Sequence, residues 1–456
     1  MVRASVTGSG GQANGASGVG SGRPALSDDG RFVAFTSDAT NLVPGDTNDQ
    51  LDIFVRDNLT QAVERVNVSS TGVQANAISM PASISGDGRF VSFASLASNL
   101  VPGDVNARPD IFVHDRVSDT TERLSTALAG DLPGSTLSFD GRYIAYYSHS
   151  TREVVVVDRH GGSRVLPCIG GPNVSISDDG RYVGGVSNCD GGVPGPHVYD
   201  VQTSTSRAFG CNGPARVSGN GRWVACDQYQ YYSPQLDFYV KALVYDAEST
   251  STSPATVIDT WQENNLVLGI SDDGRYLAFA TGLAWAADDT NGTLDAYVRD
   301  RLTGSNTLVG RGSAGQINPQ GQSSVVISGD GRYVSFTSWA SDFVANDTNG
   351  TVDVFVRAFP TPTVASAAPA SVARGSTTVV TLHGDAMLPS SVVAVYGGGV
   401  TVNSVTWISD QELQVSITVA PDAPTGAHSY ALVLPGTGPG LNAGAAAACL
   451  NCLTVS

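Results

Sequence analysis

Four short loops hold the residues whose types and spacing most clearly suggest chemistry. They read Asp-x-Asn-x-x-x-Asp: Asp46, Asn48 and Asp52; Asp104, Asn106 and Asp110; Asp289, Asn291 and Asp295; Asp347, Asn349 and Asp353. Oxygen donors at the first, third and seventh positions of a tight loop suit a hard cation such as calcium, with backbone carbonyls and water completing about six to eight ligands. The spacing matches the first half of an EF-hand loop, but no loop carries the distal bidentate Glu. The expected calcium affinity is therefore modest, ~10⁻⁴–10⁻³ M. Asp and Asn are also ordinary turn formers whose side chains bond nearby backbone amides, and that reading stands beside the calcium one.

A second set of residues is aromatic. Tyr229, Tyr231 and Tyr232 crowd one loop near Asp227 and Asp237, Trp261 lies in the following connection, and Trp285 and Trp339 come just after hydrophobic runs. Flat amphipathic rings beside carboxylates suit sugar stacking or a protein partner; equally, such rings can simply cap irregular loops. A third set is His149 and His197 with Tyr146 or Tyr147, which could form an acid–base or metal cluster. Single surface histidines more commonly have no such role. The chain contains no G-x-S-x-G elbow, H-E-x-x-H or P-loop, and "GRGSAG" leads into a strand-like run rather than a helix.

The six cysteines form three local pairs, Cys168 with Cys189, Cys211 with Cys226, and Cys449 with Cys452. An even, locally paired count reads as disulfides and an oxidising compartment; buried thiols are the alternative. The midpoint of the first pair falls on the Asp178–Asp179 turn and that of the second beside Gly219, as expected for bonds across hairpins.

Composition limits the function classes. A net charge of −17, with Lys241 the only lysine, disfavours nucleic acid and anionic lipid as partners. No apolar run reaches the ~18–20 residues of a membrane helix, so membrane insertion is not expected. "MVRASVTGSG" has no signal-like segment; a secreted or envelope location would require that an export signal had been removed.

The elements that must position these residues are repeats. "SDDGRFVAF", "SGDGRFVSF", "SFDGRYIAY", "SDDGRYVGG", "SGNGRWVAC", "SDDGRYLAF" and "SGDGRYVSF" carry their turn glycines at 30, 88, 141, 180, 221, 274 and 331, with gaps of 58, 53, 39, 41, 53 and 57 residues. That interval suits one four-stranded propeller blade. Asp-Gly between two β-prone runs is a hairpin turn. The acidic loops fall 15 or 16 residues after their glycine, in copies one, two, six and seven. "VRASVTGSGGQANG" at the start resembles a fourth strand and its exit, whereas the seventh copy stops after its third strand. The opening residues are thus expected to complete the last blade.

These repeats resemble the TolB-like, WD-type β-propeller repeat of bacterial envelope and secreted proteins, over residues 1–358. After Pro360 and Pro362, residues 359–456 read as short alternating strands and are similar to TIG-type immunoglobulin-like domains, with Trp407 and Leu413 expected in the core. The fold expected is therefore all-β, a seven-bladed propeller followed by an immunoglobulin-like sandwich. The leading functional expectation is a calcium-stabilised, non-catalytic scaffold that binds a glycan or protein through one propeller face. A polysaccharide lyase or glycosidase using the His–Tyr set, and a purely structural surface protein, are the alternatives; the lyase enters through the resemblance, because some such propellers are lyases.

Overall fold

The computed structural model describes residues 1–456 except 20–22, 126–133, 168, 188–194, 232–237, 252, 261–265, 287–288, 302–303, 312–322, 360–362, 386, 388–391, 410 and 434–444. The described residues are all-β and fall into two compact units, Met1–Ala358 and Phe359–Ser456. In the first unit they form seven four-stranded antiparallel sheets. Blades 1 to 6 span 25–65, 79–123, 135–166, 169–208, 216–260 and 266–308. Blade 7 takes three strands from 323–358 and its fourth from the other end of the unit: Val2 and Arg3 pair with Val356 and Phe355. The opening residues therefore close the ring and cover what would be a bare sheet edge.

The repeated motif explains both the turn and the joint between blades. In blade 1 the Ser27 hydroxyl donates to Asp29 (2.7 Å), and Asp29 accepts the Arg31 amide (3.0 Å). Ser27 Oγ in turn accepts the Phe32 amide (2.9 Å). All seven copies repeat this network, with Asn220 standing for the Asp in blade 5. The turn glycine has positive φ, 66° at Gly30. It also leaves room for the neighbour, because a Cβ on Gly88 would overlap the Phe32 ring and one on Gly30 the Tyr333 ring. The aromatic of each motif thus seals against the glycine of the next, around to the start.

The motif arginine grips the end of the third strand. Arg31 binds Asp57 through two nitrogens (3.1 and 2.7 Å), and Arg89–Asp115, Arg142–Asp158, Arg181–Asp200, Arg222–Asp246 and Arg275–Asp300 repeat the fork. In blade 7 the third strand ends in Ala358, and Arg332 folds back onto Asp330 of its own turn.

The second unit consists of two four-stranded sheets around one core. Leu382, Leu413, Val415, Tyr430 and Leu453 are fully buried in it. Trp407 departs from expectation: it lies on Val400–Ser409, the edge strand of its sheet, is 37% exposed, and donates its indole N–H to the Met387 carbonyl (3.0 Å).

Candidate functional site

Strand pairing puts the acidic loops at one end of the blades and the Asp-Gly turns at the other. In blade 1, Ser37 faces Asp52 at the loop end and Phe32 faces Asp57 at the turn end. Blades 6, 7, 1 and 2 are ring neighbours, so the four loops share one arc of one face.

Within the loops of blades 1, 2 and 7 the Asn is turned so that its amide nitrogen, a donor, meets the seventh-position Asp. Asn106 Nδ2 donates to Asp110 (2.8 Å), Asn349 Nδ2 to Asp353 (3.0 Å) and Asn48 Nδ2 to both oxygens of Asp52 (3.1 and 3.2 Å). The amide oxygen accepts a backbone N–H two residues on, as from Gln50, Arg108, Thr293 and Thr351. That is an Asx turn.

The counter-charge comes from the fourth strand. The Arg65 guanidinium bridges Asp46 (3.0 Å) and Asp52 (3.3 Å), Arg123 bridges Asp104 (3.0 Å) and Asp110 (3.5 Å), and Arg3 bridges Asp347 (2.9 Å) and Asp353 (3.4 Å). These arginines occupy one register position, opposite Phe54, Phe112 and Phe355. In blade 6 that position is Leu308, and its partner is Tyr297 in place of Phe. The Tyr297 hydroxyl donates to Asp289, doing for this loop what arginine does for the others. Burial, then this bond to Asp289, pushes the phenol above its ordinary pKa. Burial and the neighbouring Asp52 push Asp46 up against the pull of Arg65, and Asp347 is raised in the same way beside Asp353.

The aromatic set divides. Trp285 packs edge-on against Phe279 (5.3 Å) and beside Tyr297 (6.3 Å), half-buried over the core of blade 6. Trp339 is 58% exposed on the loop face. Tyr229 and Tyr231 lie on the strand Trp223–Tyr231; Tyr232 and Trp261 lie outside the described residues. In the candidate acid–base set the two tyrosines face opposite ways. Tyr146 packs with Ala94 and Ile111, towards blade 2, whereas Tyr147 packs with Ile169 and Tyr199, towards blade 4. His149 contacts the Tyr147 ring (4.8 Å), and His197 Nδ1 lies 3.1 Å from the Gly195 carbonyl.

The structure joins Cys211 to Cys226, from the entry of blade 5 to its second strand, and Cys449 to Cys452. Cys168 and Cys189 lie outside the described residues.

At the opposite face is an acidic group that the spacing of motifs did not suggest. The second residue of each Ser-x-Asp-Gly turn is Asp28, Gly86, Phe139, Asp178, Gly219, Asp272 or Gly329. Backbone hydrogen bonds pass from turn to turn and close on themselves: Asp28 to Gly86 (3.0 Å), Asp87 to Phe139 (3.1 Å), Phe139 to Asp178 (3.1 Å), Asp178 to Gly219 (2.9 Å), Asn220 to Asp272 (3.1 Å), Asp272 to Gly329 (2.9 Å) and Asp330 to Asp28 (2.9 Å), donor first. These turns therefore ring the axis.

Asp28, Asp178 and Asp272, from blades 1, 4 and 6, bring carboxylate oxygens within 4.8 Å of one another. Burial first, then mutual repulsion, raises Asp28 and Asp272 well above the ordinary carboxylate range. Asp178 is pushed up to about 6 by burial and by Asp179. The one sequence signal was the occupant of the variable motif position, where each Asp is followed by Gly in the next blade and only Phe139 interrupts the alternation.

No family model and no curated protein matches the chain. Among solved structures it is similar to oligogalacturonate lyase from Vibrio parahaemolyticus (14% identity, TM-score 0.46, covering 74% of this chain and 89% of that one). It is also similar to the β-propeller domain of the Trilobed protease from Pyrococcus furiosus (11%, 0.45, 73% and 93%). TolB from Acinetobacter baumannii is a third (14%, 0.37, 67% and 75%). Likeness at this level carries no inference about activity; the propeller stands on the sheet order and the closed ring.

Proposed function

We propose that the protein is a non-catalytic binding scaffold, secreted or attached to the cell envelope, that recognises a glycan or protein through the loop face of its propeller. The observation that carries this reading is the exposure of apolar side chains on a loop arc stiffened from within. Trp339 (58% exposed), Leu96 (39%) and Val105 (89%) project from blades 7 and 2, beside loops whose carboxylates are held by Arg3 and Arg123. An aromatic anchor on a preorganised surface binds at low ordering cost. The disulfide Cys211–Cys226 agrees with an oxidising location.

The test is a panel of immobilised polysaccharides, run beside capture of envelope proteins, comparing the native chain with Trp339→Ala. Retention of one ligand class by the native chain and its loss on substitution supports the reading. Binding indifferent to Trp339, or release of unsaturated uronate products absorbing in the ultraviolet, overturns it.

A further inference from the structure

We propose that the propeller axis, on the turn face, binds one hard divalent cation, calcium in preference to magnesium, through Asp28, Asp178 and Asp272. This site is independent of the binding face proposed above, which lies at the other end of the blades.

Three separate observations meet there. The first is convergence: carboxylates from three non-adjacent blades share one small volume. The second is want of a partner. Among the described residues no hydrogen-bond donor or cation reaches these carboxylates, and the charges that do face them, Asp29, Asp87, Asp179, Asp273 and Asp330, are all negative. Asp28 and Asp272 are nevertheless enclosed by protein on nearly every side, with solvent reaching them only in part. Enclosed, unpaired carboxylates are costly unless something positive completes them.

The third observation is reserved space. A Cβ on Gly219 would overlap the carboxylates of Asp178 and Asp272, one on Gly86 that of Asp28, and one on Gly329 those of Asp272 and Asp28. Gly86, Gly219 and Gly329 hold the same motif position as the three aspartates, yet their φ is not among the positive ones. Backbone conformation therefore does not demand glycine at these places; the room taken by the neighbouring acids does, joined at Gly86 by the Phe139 ring.

The donor set selects the ion. All-oxygen, carboxylate ligation is hard and excludes preference for thiophilic metals. Two oxygens sharing a calcium ion can lie up to about 4.6–5.2 Å apart, and two sharing magnesium only about 4.0–4.2 Å. Carboxylate oxygens that all lie within 4.8 Å of one another can share a calcium ion. Magnesium demands near-ideal octahedral geometry and gives up its water reluctantly, so it is usually held by one or two carboxylates and not by three fixed ones. Water reaching the partly accessible side chains fills the remaining positions. Bound there, the ion ties blades 1, 4 and 6 together across the ring, as a clasp separate from the pairing of Val2 and Arg3 with blade 7.

The test is calorimetric titration of the chelator-treated full chain with calcium chloride and with magnesium chloride, alongside thermal unfolding. One calcium site is expected, with calcium raising the melting temperature more than magnesium does. Asp28→Asn and Asp272→Asn should each weaken calcium by about tenfold or more, since affinity follows ligand charge. Asp104→Asn, in a loop, should leave it unchanged. Circular dichroism confirms that each variant is folded. No heat and no thermal shift at saturating calcium, tighter binding of magnesium, or loss of binding in the loop variant with retention in the axial ones overturns the proposal.

Discussion

The two ends of the same blades carry acids in opposite states. At the loop end every described first-position Asp has a positive or hydroxyl partner from its own blade: Arg65, Arg123 and Arg3 in blades 1, 2 and 7, and Tyr297 in blade 6. At the turn end Asp28, Asp178 and Asp272 face one another with no such partner among the described residues. The loop acids have the more metal-like spacing in sequence, yet the axial acids have the more metal-like need. The counter-charge, and not the spacing of the carboxylates, distinguishes them.

Removing an arginine should break the comparison most severely. Arg65→Ala leaves Asp46 and Asp52 buried without their guanidinium and should cost roughly 3–5 kcal/mol in urea unfolding. A loss below 1 kcal/mol, or a rescue of Arg65→Ala by calcium alone, would show that the loop is a cation site after all. At the axis the sign should reverse. Asp178→Asn in chelator-treated protein at neutral pH should stabilise by on the order of 1–3 kcal/mol, because it removes a charge that burial already disfavours; destabilisation would mean that the acids have an unseen partner.

Blade 6 sharpens the loop half. Tyr297→Phe removes the hydroxyl from Asp289 and should cost about 1–3 kcal/mol. Adding Leu308→Arg to it rebuilds the arrangement of blade 1 and should recover part of that loss, read by the same unfolding curves. The smallest effect concerns the exposed forks. The guanidinium of Arg142 holds Asp158 at about 2, and that of Arg181 holds Asp200 at about 2. A depressed carboxyl stabilises the fold above its unfolded value near 4, and the contribution disappears as pH falls through about 2. Unfolding midpoints should therefore decline slightly across that window, and less so in Asp158→Asn with Asp200→Asn.

Much of this was legible in the chain because each blade repeats its own instructions. Ser, Asp and Gly of the turn fix a local network that needs no distant residue, so seven hairpins and the closing role of Val2–Arg3 could be read directly. The loop partners were not, because Arg65 and Arg123 reach their acids through strand register, and Arg3 does so only once the ring closes. Trp407 was misplaced because whether a ring caps a core or faces solvent depends on neighbouring strands. The axial acids were hidden for a stronger reason: Asp28, Asp178 and Asp272 are far apart in sequence and become neighbours only through closure, while the intervening glycines look like ordinary turn residues.

The most direct measurement is a crystal structure of the full chain grown in calcium, recorded at a wavelength where calcium scatters anomalously. One peak is expected among Asp28, Asp178 and Asp272, with Arg65, Arg123 and Arg3 still seated on their loop acids. A peak inside a loop with its guanidinium displaced, and none on the axis, would contradict this assignment of the two acidic regions.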